Sequence, residues 1–179
     1  MKNKAVFLDR DGVIIHEKHH LREIAQVEFI SSAAAAIKKL NSKFIVIVIS
    51  NQAVVARKLC TEQDVKKVNQ FIQTELEKQG AKIDAFYFCP HHPKFSGDCE
   101  CRKPKIGMLV QAKKDFNLNF ANTFFVGDKT VDIQTGKNAG CKTILVKTGY
   151  AGSDKEFNVQ PDITAEDILD AVEKILKTN

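Results

Sequence analysis

Tryptophan is absent from these 179 residues and proline occurs only four times. Neither proline nor glycine gathers into a stretch that would mark a linker, and no low-complexity tract or fixed-period repeat is present. The longest unbroken apolar run is the six residues from Phe44 to Ile49, far below the roughly 20 that a membrane span requires. At the N-terminus only Ala5 to Leu8 are apolar before Asp9, too few for the core of a secretory signal. The reading is therefore a cytoplasmic chain with no membrane partner. Cysteines number five, an odd count, with three crowded between positions 89 and 101. That pattern suits a reducing compartment and a metal site better than a disulfide framework.

What is present bounds the answer further. With 44% hydrophobic residues, a chain of this length can bury about 70% of the surface its unfolded form exposes, so its core needs neither disulfides nor a metal. Residues 1–179 read as one domain. The net charge of +5 points weakly to small anions. The doublets Lys38-Lys39, Lys66-Lys67 and Lys113-Lys114 sit among acidic and polar neighbours as ordinary solvated helix faces.

Short Val-, Ile- and Phe-rich runs alternate with helical patterns. Lys4 to Leu8, Phe44 to Ile49, Phe86 to Cys89, Phe124 to Val126 and Thr143 to Val146 read as five buried strands. Ser31 to Leu40, Thr61 to Gln79, Gly107 to Phe116, Thr130 to Ala139 and Ala165 to Leu176 read as helices. In the second, Val65, Val68, Ile72 and Leu76 share one face, Thr61 with Asp64 resembles a capping box, and Gly80 supplies the stop. Such alternation predicts an α/β fold, a Rossmann-like doubly wound parallel sheet, whose ligands bind beyond the carboxyl ends of the strands.

The polar residues that follow the strands form a consistent set. After the first come Asp9-Arg10-Asp11-Gly12, after the second Ser50 and Asn51, and after the fourth Gly127, Asp128 and Lys129, with Asp132 one turn further on. Arg102-Lys103-Pro104 lies between the third strand and the next helix. Asp9, Asp11 and Asp128 offer the hard oxygen ligands that Mg²⁺ prefers. Lys103 and Ser50 could hold phosphoryl oxygens, whose spread charge must be neutralised during transfer. A carboxylate nucleophile can divide ester hydrolysis into two steps through an aspartyl-phosphate. Cys89, His91, Cys99 and Cys101 supply three thiolates and an imidazole, a set suited to closed tetrahedral zinc in a loop over residues 89–101.

The motifs Asp9-Arg10-Asp11-Gly12, Ser50-Asn51-Gln52, Arg102-Lys103-Pro104 and Gly127-Asp128-Lys129 resemble, in order and context, those of the haloacid dehalogenase superfamily of phosphatases. The segments Cys89-Pro90-His91-His92-Pro93 and Cys99-Glu100-Cys101 look like its branch of D-glycero-D-manno-heptose 1,7-bisphosphate phosphatases and histidinol phosphatases. The similarity spans about Lys4 to Gly149. It implies a fold with no large cap domain, Asp9 as nucleophile and Asp11 as general acid/base. Ser50 and Lys103 would steady the phosphoryl group, while Mg²⁺ would lie on Asp9, Asp128 and Asp11 through its main chain. Zinc would bind Cys89, His91, Cys99 and Cys101 as a structural ion that fixes Arg102 and Lys103. Substrate contacts would come from Glu17, Lys18, His19 and His20, from Ser50, Asn51, Gln52 and Ala53, and from Arg102, Lys103 and Lys129.

The implied substrate is a small phosphorylated metabolite, a sugar bisphosphate of lipopolysaccharide heptose biosynthesis, handled by a monomer. Histidinol phosphate is the alternative. Ile15, Ser50 and the Ala53-Val54 pair depart from the usual heptose-branch wording, and Ile15 and Ala53 are expected to remove hydrogen-bonding groups near the sugar. A receiver-like signalling domain fits less well, because its phosphorylated Asp usually follows the third strand, where this chain has Cys89. Action on nucleic acid would call for a basic path with interleaved aromatics, whereas the aromatics here fall mostly in strands. Cys60 and Cys141 read as small buried fillers, His92 as a loop residue, His16 as a solvent-facing loop histidine with a ligand contact as the alternative, and Arg57 as a surface arginine with reach toward an incoming anion as the alternative.

Overall fold

The computed structural model describes residues 4–178. Six strands form one sheet: β1 (Ala5–Leu8), β2 (Ile45–Asn51), β3 (Ala85–Cys89), β4 (Phe124–Gly127), β5 (Lys142–Val146) and β6 (Ile163–Ala165). Their order is β3-β2-β1-β4-β5-β6, and every pairing is parallel. The helices are α1 (Ala33–Leu40), α2 (Glu62–Glu77), α3 (Pro93–Ser96), α4 (Gly107–Phe116), α5 (Thr130–Ala139) and α6 (Ile168–Lys177).

Period-2 alternation sorts the strand residues onto two faces, both apolar. Val6, Leu8, Val46, Val48, Phe124, Val126, Ile144 and Val146 share one core with Ile37 and Leu40 of α1, Val68 and Ile72 of α2, and Ile168 and Val172 of α6. Ala5, Phe7, Ile47, Ile49 and Phe125 join a second core beneath Met108, Leu109 and Ala112 of α4. The doubly wound architecture expected from the sequence is thus present.

Three readings need correction. A sixth strand exists: β6 pairs Ile144 with Ile163 and Val146 with Ala165, and at three residues it is too short to announce itself as an apolar run. Ala165 therefore belongs to a strand, and α6 begins only at Ile168, where the Asp167 carboxylate accepts from Asp170 N–H at 2.9 Å as an N-cap. β2 also runs on through Ser50 and Asn51, so these residues are fixed by the sheet. Finally, α3 occupies part of the Cys/His segment, with Pro93 in its first turn and the His92 ring accepting from Lys94 N–H.

Register decides where chemistry can gather. Leu8 lies opposite Val48 and Val126, so β1 and β4 end at nearly the same level while β2 runs three residues further, to Asn51, with Asp9 directly after the central strand. The stretch between β1 and α1 holds isolated bridges, Asp11 to Ile15 and Ile15 to Phe29, and a 3₁₀ turn at Ile24–Gln26. Ile15 is fully buried in the first core. Its side chain makes no part of the cavity wall, which corrects the expectation that it borders the sugar site.

Candidate active site

Beyond the carboxyl ends of the strands lies a cavity of about 240 Å³. Asp9, Asp11, Glu17, His19 and His20 line it, as do Asn51, Gln52, Ala53, Arg102, Lys103 and Lys129. Of the expected site residues, Lys18 is absent from this wall and pairs with Glu28 at 2.7 Å. Ser50 and Asp128 are buried, at 1% and 0% exposure, and belong to the layer beneath the cavity lining. The wall also includes Arg10, His92 and Glu156, to which the sequence reading assigned no role, and Arg57, for which reach toward an anion was the alternative to a surface place.

Each acidic side chain has a distinct environment. Asp9 Oδ1 accepts from Arg10 N–H at 2.8 Å and pairs with Lys103 at 3.0 Å, and among the described residues no hydrogen bond reaches Oδ2. Burial opposes the charge of Asp11, yet Arg10 and Gln52 hold its carboxyl below the usual carboxylate range. Arg10 Nε and Nη2 each donate to it at 3.1 Å, and Gln52 Nε2 donates at 3.0 Å. Asp128 Oδ1 is buried with no hydrogen-bond partner, while its Oδ2 accepts from Tyr150 N–H at 2.8 Å. Burial first, then Asp132 and Asp9, push Asp128 up to about 8. Gly12 and Gly149 close over this carboxylate with φ of 85° and 65°; a Cβ on either would collide with it.

Lys103 shows why the fourth acid matters. Only 3% exposed, its ammonium donates to Ile49 O at 3.0 Å and to Asp132 Oδ1 at 2.6 Å and pairs with Asp9. All three donors are used. Burial works against its charge, but Asp132 and Asp9 raise its proton affinity above the ordinary value. Asp132 Oδ2 meanwhile accepts from Lys129 N–H at 3.1 Å, so this carboxylate both starts α5 and holds the lysine. The sequence signal was its place one turn after Asp128 at a helix start. Asn51 clamps the same loop, accepting from Lys103 N–H at 3.0 Å and donating to Lys103 O at 3.3 Å. On the opposite wall, Lys129 pairs with Glu17 at 2.9 Å and lies 4.3 Å from the centroid of the Tyr150 ring.

Two clusters suit metals. Asp9, Asp128 and Asp132 place carboxylate oxygens within 4.8 Å of one another. Because Asp132 is spent on Lys103 and Lys129 N–H and Asp9 Oδ1 on Arg10 N–H and Lys103, the open oxygens are Asp9 Oδ2 and the orphaned Asp128 Oδ1, a hard-cation donor set. In the second cluster, Cys89 Sγ lies 3.0 Å from Cys101 Sγ and 3.6 Å from Cys99 Sγ, and His91 Nδ1 lies 3.4 Å from Cys101 Sγ. Tetrahedral zinc–sulfur bonds of about 2.3 Å place sulfurs about 3.8 Å apart, so this set needs only a slight expansion to close on zinc. His92 stays outside that set. Burial, then Arg102 and Arg57, hold its ring below the ordinary histidine value. Cys141 is buried as expected, while Cys60 is only partly so.

A parallel sheet with acids after β1 and β4, a buried lysine and an orphaned Ser50 hydroxyl makes a site suited to a phosphorylated substrate, and so to the class of phosphate-ester hydrolases. Comparison with known proteins agrees. The family described as HAD-hydrolase-like matches residues 100–171. The D-glycero-beta-D-manno-heptose-1,7-bisphosphate 7-phosphatase of Haemophilus ducreyi is 36% identical over 179 residues, covering 96% of this chain and 98% of that protein. The D-glycero-alpha-D-manno-heptose-1,7-bisphosphate 7-phosphatase of Campylobacter jejuni is 40% identical over 147 residues, covering 82% of this chain and 83% of its own. A crystal structure of D,D-heptose 1,7-bisphosphate phosphatase from B. bronchiseptica, complexed with magnesium and phosphate, superposes with a TM-score of 0.89 at 27% identity, covering 100% of both chains. The chain belongs to the heptose-1,7-bisphosphate 7-phosphatase family of haloacid dehalogenase-like hydrolases, and it is a phosphatase.

Proposed function

We propose that this phosphatase removes the 7-phosphate of D-glycero-D-manno-heptose 1,7-bisphosphate, with Asp9 as nucleophile, in a reducing cytoplasm that keeps its cysteines out of disulfides. The observation that carries the reading is the Asp9 carboxylate, with Oδ1 held by Arg10 N–H and Lys103 and Oδ2 left open beside the cavity. Asp9 and Asp128, with the main chain of Asp11, would hold magnesium, and the Cys89, His91, Cys99 and Cys101 set would hold zinc as a structural ion. When bound, magnesium supplies positive charge that offsets the acids and the phosphoryl oxygens.

Asp9 Oδ2 attacks phosphorus, forming the aspartyl-phosphate as the ester bond to the sugar breaks. The leaving alkoxide takes a proton from Asp11. In the resting chain Asp11 is held ionised by Arg10 and Gln52, which suits the second half, where it accepts a proton from the attacking water. For the first half, the incoming phosphate dianion beside Asp11 raises its proton affinity, as like charges do. The Ser50 hydroxyl, buried and unpartnered, donates to one phosphoryl oxygen. Lys103 reaches another by releasing one of its three acceptors. Glu17, His19, His20 and Ala53 form the wall available to the sugar.

The test is phosphate release by the purified protein with added Mg²⁺ from both anomers of the bisphosphate and from histidinol phosphate. The expected outcome is a kcat/KM for one bisphosphate anomer at least about tenfold above that for histidinol phosphate, whose cationic amine would meet Arg57 and Arg102 at the mouth. Higher kcat/KM for histidinol phosphate overturns the substrate. Chelation should abolish turnover and Mg²⁺ should restore it.

A further inference from the structure

On the wall opposite Lys103, four side chains form a closed circuit of contacts. Lys129 Nζ donates to Glu17 Oε2 at 2.9 Å, and Glu17 Oε1 accepts from His19 N–H at 2.7 Å. The His19 and Tyr150 rings stand nearly perpendicular, at 79°, with Nδ1 3.1 Å from the Tyr150 hydroxyl. The Tyr150 ring in turn has the Lys129 ammonium 4.3 Å from its centroid. Glu17, His19 and Lys129 line the cavity, whereas Tyr150 is absent from its wall. A residue outside the wall therefore closes the circuit.

The circuit joins the segments that follow β1, β4 and β5, and Tyr150 is its firmly mounted member. Its N–H donates to Asp128 Oδ2 at 2.8 Å, while the Thr148 hydroxyl donates to Gly12 O at 2.6 Å and Gly152 N–H to Asp128 O at 2.8 Å. His19 is different. It is exposed and has φ of 54°, a left-handed conformation that a residue with a side chain keeps when its surroundings hold it. Lys129 also needs holding, because a lysine stem has many rotamers to lose. Among the described residues Glu17 is the one hydrogen-bond acceptor of its ammonium, so two N–H groups remain for the oxygens of an anionic ester. The ring attracts the cation through its quadrupole. That hold does not depend on Glu17 and survives when a phosphate oxygen takes the carboxylate's place.

We propose that Tyr150 is a positioning residue for phosphate-ester hydrolysis: its ring face aims the Lys129 ammonium at the ester, and its hydroxyl holds His19 in the wall available to the sugar. This rests on the reading of the cavity as the phosphatase site. The two tasks fall to different atoms and can be separated by substitution. Tyr150 is also the first residue beyond the span Lys4 to Gly149 that carries the sequence motifs, and the sequence reading gave it no role.

The test measures kcat and KM for heptose 1,7-bisphosphate and for p-nitrophenyl phosphate with wild type, Tyr150→Phe and Tyr150→Leu, together with the rise in melting temperature caused by Mg²⁺. Tyr150→Leu removes the ring face and should lower kcat for both substrates by about tenfold. Tyr150→Phe keeps the face and should recover that kcat, while KM for the bisphosphate rises about fivefold for want of the His19 bond. The N–H on Asp128 is a backbone group present in all three proteins, so Mg²⁺ should raise their melting temperatures alike. Loss of that rise in Tyr150→Leu would place the defect at Asp128 and overturn the proposal. So would wild-type kcat in Tyr150→Leu on whichever substrate wild type hydrolyses, and the phosphatase reading would stand. Should Tyr150→Leu fail to fold, Tyr150→Phe decides alone, since a wild-type KM for the bisphosphate in it refutes the hold on His19. If wild type releases phosphate from neither substrate, the proposal and the phosphatase reading fall together.

Discussion

A buried lysine held between two carboxylates is stable only while every partner stays, because removing one leaves charge in a place that water cannot reach. Lys103 meets Asp132 at 2.6 Å and Asp9 at 3.0 Å, and Asp132 is 0% exposed. Replacing Asp132 by Asn keeps the shape but removes the charge that anchors the ammonium. Lys103 should then lean toward Asp9, and kcat should fall by about 100-fold with a loss of several degrees in melting temperature; steady-state kinetics with calorimetry checks both. Asp9→Asn makes a different prediction, since a carboxamide is a very poor nucleophile of nearly the same size. Turnover should drop by about 1,000-fold or more with circular dichroism unchanged, and near wild-type hydrolysis by pure Asp9→Asn would remove Asp9 from its role.

At the scale of elements, the segment from Cys89 to Lys103 is a brace. Cys89 ends β3, α3 follows, and Cys99 and Cys101 return the chain so that Lys103 meets Asn51 of β2. Cys99→Ser should therefore lower zinc content from one ion per chain and reduce activity by on the order of tenfold or more, with a modest loss in melting temperature because Cys99 packs only at the partly buried edge of the second core. Elemental analysis beside a kinetic assay checks it. The same segment shows what sequence can and cannot reveal. Long periodic elements such as α2 and the apolar runs of β2 and β4 were legible because burial on a regular surface writes a period into the sequence. The acids after β1 and β4 were legible for a related reason, since a strand end dictates where the next side chains lie. β6 carries only Ile163, Thr164 and Ala165, and its strand character comes from pairing with β5, a tertiary cause. The Ile15 side chain points into the core because of the bridges it makes to Asp11 and Phe29, and nothing local announces that. Arg57 reads as a surface residue and is one, but its stacking on Phe95, 38 positions away in the chain, is not legible locally.

For the molecule as a whole, the parallel sheet brings Asp9, Asp128 and Asp132 to its centre and then closes Gly12 and Gly149 over Asp128. Such a cluster opposes folding whenever it is ionised without a cation. Burial, Asp132 and Asp9 push Asp128 up to about 8 from an ordinary value of 3.8. Burial and Asp9 likewise raise Asp132, to about 6, with Lys103 opposing them. Between these values and 3.8 the folded chain binds more protons than the unfolded one, so stability falls as pH rises, by up to about 1.4 kcal/mol per pH unit for one group. Asp11, Asp162 and Asp170 shift the other way, and their contribution is lost only on acidification below the ordinary carboxylate value. These aspartate windows do not overlap, and the weakly buried His92, held below the ordinary 6.5, opposes the fall only below that value. Zinc-loaded, magnesium-free protein should accordingly melt at progressively lower temperature from pH 5 to pH 8, and Asp128→Asn, which cannot ionise, should flatten that slope. Added Mg²⁺ should raise the melting temperature of wild type most at pH 8, where the acids it needs are charged, and little at pH 5 or in Asp128→Asn. A magnesium-free melting temperature that climbs between pH 5 and pH 8, by calorimetry, would show that the acid cluster does not oppose the fold.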